Sequence, residues 1–115
     1  MDITTLEAML ERGQDNALLR FTLGNLLYQQ KDYTKAGLHL SRAVEMDPDY
    51  SAAWKILGRT LAAAGNHPDA ASAFRQGIAV AEKRGDIQAA REMTVFLRRE
   101  EKKLSADDLS ADDAD

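Results

Sequence analysis

Two basic residues of the chain, Lys55 and Arg59, are four positions apart and would share one face of a helix. Asn25 and Arg59 occupy equivalent positions in two copies of a repeated pattern, so Asn25 is expected at the same level on a neighbouring helix. An ammonium, a guanidinium and an amide that face one space can hold a carboxylate through charge-assisted hydrogen bonds. The alternative is that both cations are ordinary solvated charges on an exposed face.

The other residue types that commonly carry chemistry do not form a reactive or metal-binding set. The chain has no cysteine and two histidines, His39 and His67, which lie in different copies of the repeat without acidic ligands at metal spacing. We expect His39 at the surface or at a groove edge and His67 in a turn. Ser41, Ser51 and Ser72 have no partners in the sequence that would make a nucleophile. The sequence therefore predicts a protein that is not an enzyme and has no cofactor.

Length and charge narrow the class of protein further. At 115 residues the chain has room for one domain, and the absence of cysteine fits a reducing compartment. The net charge is −4, but residues 1–104 hold 15 basic and 14 acidic side chains, too even a balance for non-specific nucleic-acid binding. We expect no targeting signal, because the first residues of the given sequence show no basic segment followed by an apolar run, and no membrane span, because no stretch reaches the roughly 18 apolar residues that one requires. We expect a cytoplasmic protein that binds neither nucleic acid nor membrane.

The last eleven residues differ in composition from the rest of the chain. They carry five of the 19 acidic side chains and a single large apolar residue, Leu109. So little apolar surface cannot offset the entropy lost on ordering, so residues 105–115 are predicted to be a disordered acidic tail. Opposite charge leads to a further hypothesis, in which this tail visits Lys55 and Arg59 and competes with acidic ligands.

Apolar residues recur at helical spacing over most of the chain, and no segment alternates as a strand would, so the fold class is predicted to be all-α. Six helices are expected, over about 3–12, 17–30, 33–46, 51–64, 68–83 and 86–104. Helix starts are expected at residues whose side chains accept hydrogen bonds from first-turn N–H groups, namely Thr4, Asp15 or Asn16, Asp32 and Asp86. Pro48 ends the third helix, whereas Glu82 at the equivalent place predicts a longer fifth helix or an altered turn.

A repeat with a period of about 34 residues groups these helices into hairpins. Leu23-Gly24, Leu27, Ala36 and Leu40 recur as Leu57-Gly58, Leu61, Ala70 and Phe74. The pattern resembles that of the tetratricopeptide-repeat (TPR) family, in particular a small bacterial-type member, with units at 17–50 and 51–84. The resemblance implies an α-α superhelix of stacked antiparallel hairpins within a single domain, 1–104. The two flanking helices would cover its open ends, and the sixth either continues the superhelix or folds over it.

The resemblance also implies which face binds. In this family the first helix of each hairpin lines the concave face, and the matching positions here include Phe21, Asn25, Tyr28, Lys55 and Arg59. The implied ligand is a protein or peptide segment whose acidic or C-terminal carboxylate meets the polar residues while its apolar parts meet Phe21 and Tyr28. Trp54 matches a packing position of the family and is expected in the core.

The sequence thus predicts a non-catalytic protein–protein interaction module, an adaptor or scaffold that binds a peptide segment in its concave groove. The alternative is a structural protein that associates with itself as a homodimer, because two repeats are fewer than the roughly three that a stable stack needs. An enzyme is the least favoured alternative, since no nucleophile, metal set or phosphate-binding loop is present.

Overall fold

The computed structural model describes the backbone of residues 1–113 and the side chains of residues 1–106. Over that part of the chain it contains six α-helices and no strand, which confirms the all-α prediction. The helices are α1 (Ile3–Glu11), α2 (Ala17–Gln29), α3 (Tyr33–Met46), α4 (Ser51–Ala63), α5 (His67–Lys83) and α6 (Ile87–Asp113). Their bounds agree with the sequence-based ranges to within one residue, except at the end of α6.

The C-terminal part of α6 differs from the expectation. The helix continues to Asp113, whereas the sequence analysis ends it near Leu104 and expects no regular structure from residue 105. No glycine or proline follows Gly85, so the sequence contains no residue of the kind that terminates a helix in this stretch. Residues 114 and 115 of the predicted tail lie outside the described residues.

Polar side chains fix most of the helix starts. Asp2 caps α1 by accepting a hydrogen bond from the Thr5 N–H at 2.8 Å, so the predicted cap at Thr4 is wrong, because that residue already lies inside the first turn. Asn16, rather than Asp15, caps α2 through the Leu19 N–H at 2.8 Å. The same kind of contact starts α3, α5 and α6, with Asp32, Asn66 and Asp86 as acceptors. Each contact satisfies a first-turn N–H that has no partner within the helix.

Close contacts at glycine join the two helices of each hairpin. A Cβ atom on Gly24 would lie 2.6 Å from Cγ of Leu40, and a Cβ atom on Gly58 would overlap the Phe74 ring. Leu40 and Phe74 are fully buried, so neither side chain has space to retreat. The predicted close packing of α2 with α3, and of α4 with α5, is confirmed.

The first helices of the hairpins form the inner layer of the stack. α4 lies between α2 and α6 and contacts both, whereas in the described residues no Cα atom of α3 comes within 8 Å of a Cα atom of α5. Because the first helices contact one another while the second helices are further apart, the stack is curved. The first helices α2, α4 and α6 lie on its concave side. Thus α6 continues the superhelix, which decides between the two alternatives for the sixth helix.

α5, the second helix of the second hairpin, is longer than α3 and packs closely against α6. α5 has 17 residues against 14 in α3, which confirms the lengthening predicted from Glu82. Trp54 is half-buried, packs against the core and donates its indole N–H to the Pro48 carbonyl at 2.8 Å. Met93 of α6 is fully buried and packs beside Gly77 of α5.

Within residues 1–113, no helix combines the length and the apolar composition that crossing a membrane requires.

Candidate functional site

A shallow cleft of about 170 Å³ opens on the concave side, where α4 and α6 meet. It is lined by Tyr28, Arg59, Ala62, Phe74, Phe96, Arg99, Glu100 and Lys103. We call this set the concave cleft. Its residues come from α2, α4, α5 and α6, so the cleft depends on the stacking of the hairpins and belongs to no single repeat.

Arg59 lies between two aromatic rings in the concave cleft. Its Cζ atom is 5.6 Å from the centroid of the Tyr28 ring and 5.1 Å from that of Phe96. The electron-rich faces of both rings attract the cation, and these contacts orient the guanidinium without using its N–H groups. No residue in the described part of the chain accepts a hydrogen bond from the Arg59 side chain. Its donors therefore remain available to a ligand.

Further charges surround Arg59. The Arg99 Cζ atom lies 5.8 Å from the Phe96 ring centroid, and Lys103 follows one turn later on the same helix. The single carboxylate of the concave cleft is that of Glu100, which is 4% exposed and bonded to Nδ1 of His67 at 2.5 Å. Three cations against one partnered carboxylate give the cleft a positive field, which favours anionic ligands.

The structure brings together only part of the predicted site. Tyr28 and Arg59 meet in the concave cleft, whereas Lys55 forms an ion pair with Glu92 of α6, with 3.3 Å between Nζ and Oε1. Asn25 is half-buried on α2 and forms no side-chain hydrogen bond with the described residues. The fifth predicted residue, Phe21, packs its ring against that of Tyr50 at a centroid distance of 4.9 Å. These three residues do not line the cleft.

Sequence reasoning missed the contribution of α6. Phe96, Arg99 and Lys103 follow the i, i+3, i+7 spacing of one helical face, a signal that was present in the sequence. This spacing indicates a face of the binding site only when α6 is known to lie beside α4 as the next first helix. Glu92 was missed for the same reason, although it neutralises a predicted binding cation.

The expectation that His39 lies at the surface or at a groove edge is wrong. His39 is 7% exposed, and its Nδ1 atom lies 3.1 Å from NH1 of Arg20, which also binds both carboxylate oxygens of Asp15. Burial, together with the positive charge of Arg20, lowers the pKa of His39 below its ordinary value. The neutral ring accepts the arginine N–H, so the contacts of Asp15, Arg20 and His39 stabilise the fold.

Across the described residues, no three His, Asp or Glu side chains lie close enough together to hold a metal ion.

The stacked hairpins and their open concave face define a helical repeat protein. The chain belongs to the tetratricopeptide-repeat family, whose model matches residues 27–93. A TPR repeat-containing protein of Pseudomonas aeruginosa is 52% identical over 99 residues, which cover 86% of this chain and 94% of that protein. Proteins of this family are in general protein–protein interaction modules without catalytic activity.

Two solved structures resemble this chain. A protein from Bordetella parapertussis has 45% sequence identity and a TM-score of 0.76, with 90% of each chain covered. A tetratricopeptide repeat domain protein from Salinibacter ruber has a TM-score of 0.70 over 76% of this chain and 89% of that one. Its sequence identity is 24%, so this second likeness concerns the fold alone.

Proposed function

We propose that the protein is a non-catalytic interaction module, an adaptor or scaffold that holds a peptide segment of a partner protein in the concave cleft. The observation that supports this most directly is the Arg59 guanidinium, which Tyr28 and Phe96 orient while its N–H donors remain without a partner among the described residues. A carboxylate at the edge of a guanidinium accepts two parallel hydrogen bonds, which makes this one of the stronger polar contacts between side chains.

Charge favours an acidic ligand over a neutral one. Arg99 and Lys103 line the same cleft as Arg59, and the Glu100 carboxylate already has His67 as its partner. Complementary charge increases the rate of encounter and disfavours basic segments. The aromatic rings supply apolar contact for the side chains next to the carboxylate.

The remaining predicted contacts extend along the inner layer. A peptide anchored at Arg59 that runs toward α2 would pass Asn25 and Phe21, where an extended backbone meets a half-buried amide and part of a ring. In this arrangement the Lys55 ammonium group interacts with both Glu92 and the ligand. We expect these contacts to add less than Arg59, because Phe21 and Lys55 are already engaged within the fold.

Fluorescence anisotropy with an acidic peptide pool tests the proposal. The probe is a set of fluorescein-labelled octapeptides whose two C-terminal residues are Asp or Glu, prepared both as free acids and as C-terminal amides. Arg59→Gln is expected to weaken binding at least tenfold, because a hydrogen bond to a charged group contributes about 1.5–3 kcal/mol. Arg42→Gln is the matched control, since Arg42 is an exposed arginine on α3 that pairs with Glu45.

The outcomes separate the possible sources of the carboxylate. Loss of binding on amidation assigns the contact to the peptide C-terminus, and retained binding assigns it to the Asp or Glu side chains. Equal affinities of wild type and Arg59→Gln, or equal losses in the Arg59 and Arg42 variants, would contradict the proposed site.

A further inference from the structure

Each end of the described chain carries half of a hairpin. Counted from the first residue of its helix, Thr94 is the eighth residue of α6, just as Gly24 is in α2 and Gly58 is in α4. Those two glycines are covered by α3 and α5, whereas no described helix covers Thr94. Thus α6 is a first helix without its second helix.

The N-terminal end has the opposite incompleteness. Leu6 of α1 lies one repeat length before Leu40 of α3, which places α1 in the role of a second helix. No described helix precedes it to act as its first helix. One end of the described chain therefore carries the kind of helix that the other end lacks.

Both incomplete ends expose apolar grooves. The α6 groove, with a volume of about 490 Å³, is lined by residues that include Ile87 and Val95, which are 63% and 46% exposed. The α1–α2 groove, with a volume of about 230 Å³, includes Met1 and Leu18, which are 80% and 65% exposed. Single exposed apolar side chains are ordinary, but each groove brings two of them together, and contiguous apolar surface marks interaction sites.

We propose that copies of this chain stack head to tail, with α1 of one copy in the α6 groove of the next. The same contact places α6 of the second copy in the α1–α2 groove of the first. The two half hairpins thereby form one complete repeat, and the superhelix continues across the junction. A single interface closes both grooves.

Charge and length both fit this arrangement. The α6 groove has Glu82 near its beginning and Arg98 at its end, while α1 has Asp2 before its first residue and Arg12 after its last. The antiparallel pairing used by the other hairpins brings Asp2 toward Arg98 and Arg12 toward Glu82. The nine residues of α1 span about 13.5 Å, and the twelve residues from Ile87 to Arg98 span about 18 Å, so the groove is long enough for α1.

The proposed contact differs in symmetry from the homodimer predicted from the sequence. A symmetric dimer through two α6 grooves, with its helices antiparallel about Thr94 and Val95, would oppose Arg91 of each copy to Arg98 of the other. A head-to-tail contact avoids this repulsion and leaves one groove unfilled at each end of the assembly. It therefore generates an open series of oligomers rather than a closed pair.

Sedimentation equilibrium of the full chain over a concentration series tests the proposal. Wild-type protein is expected to show an average mass that rises past two copies without a plateau. Val95→Glu blocks the α6 groove and Leu18→Glu blocks the α1–α2 groove, so each variant alone is expected to remain monomeric. An equal mixture of the two still contains one intact groove of each kind, so it is expected to form a dimer and stop there.

Leu38→Glu is the matched control, because Leu38 is 64% exposed on α3 and lies in neither groove. Circular dichroism checks that all three variants keep their helix content, as their exposure predicts. Ile87→Glu replaces Val95→Glu if that variant does not fold. A monomeric wild type, a wild-type plateau at two copies, a mixture that remains monomeric, or dissociation by Leu38→Glu would overturn the proposal.

Discussion

The hydrogen bond between Arg20 and His39 requires a particular protonation state. Nδ1 of His39 can accept the arginine N–H only when it carries no proton, and burial with the neighbouring positive charge lowers the pKa of His39 below its ordinary value of 6.5. At pH values between the pKa of His39 in the folded protein and its pKa in the unfolded chain, the unfolded chain binds more protons. Acidification in this range therefore favours unfolding. The contribution is complete above about pH 6.5 and is lost as the pH falls through the folded pKa.

This dependence gives a prediction for His39→Gln. The variant keeps a polar side chain of similar size but does not titrate, so its free energy of unfolding should fall less than that of wild type between pH 7.5 and pH 5.5. Urea unfolding at both pH values measures the difference. Parallel losses in the two proteins would show that His39 is equally protonated in the folded and unfolded states.

Trp54 contributes to the fold through packing and through one hydrogen bond. Its side chain packs against the core, and its indole N–H reaches the Pro48 carbonyl at the turn before α4. We expect Trp54→Ala to lower the free energy of unfolding by about 3 kcal/mol, the lower end of the range for such truncations because the side chain is half-buried. Thermal unfolding measures the effect, and an unchanged midpoint would refute the packing role.

At the scale of the helices, the glycine contacts set the distance between partners. Gly58→Ala places a methyl group within 3 Å of the buried Phe74 ring, which should destabilise the protein by about 1–3 kcal/mol despite the higher helix propensity of alanine. Gly37→Ala is the matched control, since its nearest neighbour would be a Thr60 methyl carbon at 4.0 Å. We expect this second variant to gain roughly 0.5–1 kcal/mol. Urea unfolding compares the two, and a loss in both would show that glycine is required for another reason.

The limits of sequence reasoning lie at the junction between α5 and α6. The starts of α2 and α4 are one repeat length apart, and the repeat placed those elements correctly. The start of α6 at Ile87 lies more than one repeat length after the start of α4 at Ser51, because α5 is longer than α3. The spacing of the repeat therefore does not hold for α6. The contacts of Lys55 with Glu92 and of Arg59 with Phe96 depend on that local offset. The predicted bounds of α5 and α6 already contain this offset, but they do not show which side chains of α6 it brings beside α4.

At the scale of the whole molecule, apolar packing is divided between two neighbouring clusters. One extends from Leu6 of α1 to Ala73 of α5, and the other centres on Phe74 and Met93, while Leu61 packs against both. In a stack of this kind each hairpin is stabilised chiefly by its neighbours, so stability is close to a sum of local contributions. Removal of a terminal element should therefore act mainly on the cluster that it covers.

Two truncations test this division and the predicted domain boundary. Ending the chain at Asp86 removes Met93, Phe96 and Leu97 from the second cluster, a loss of roughly 4.5–9 kcal/mol at about 1.5–3 kcal/mol for each buried side chain. Small domains have a total stability of about 5–15 kcal/mol, so this variant should be unfolded or only partly folded at 25 °C. Ending the chain at Leu104 removes only the predicted acidic tail and should shift the thermal midpoint by less than about 4 °C. Similar losses in both variants, measured by circular dichroism during heating, would place the boundary of the folded domain beyond residue 104.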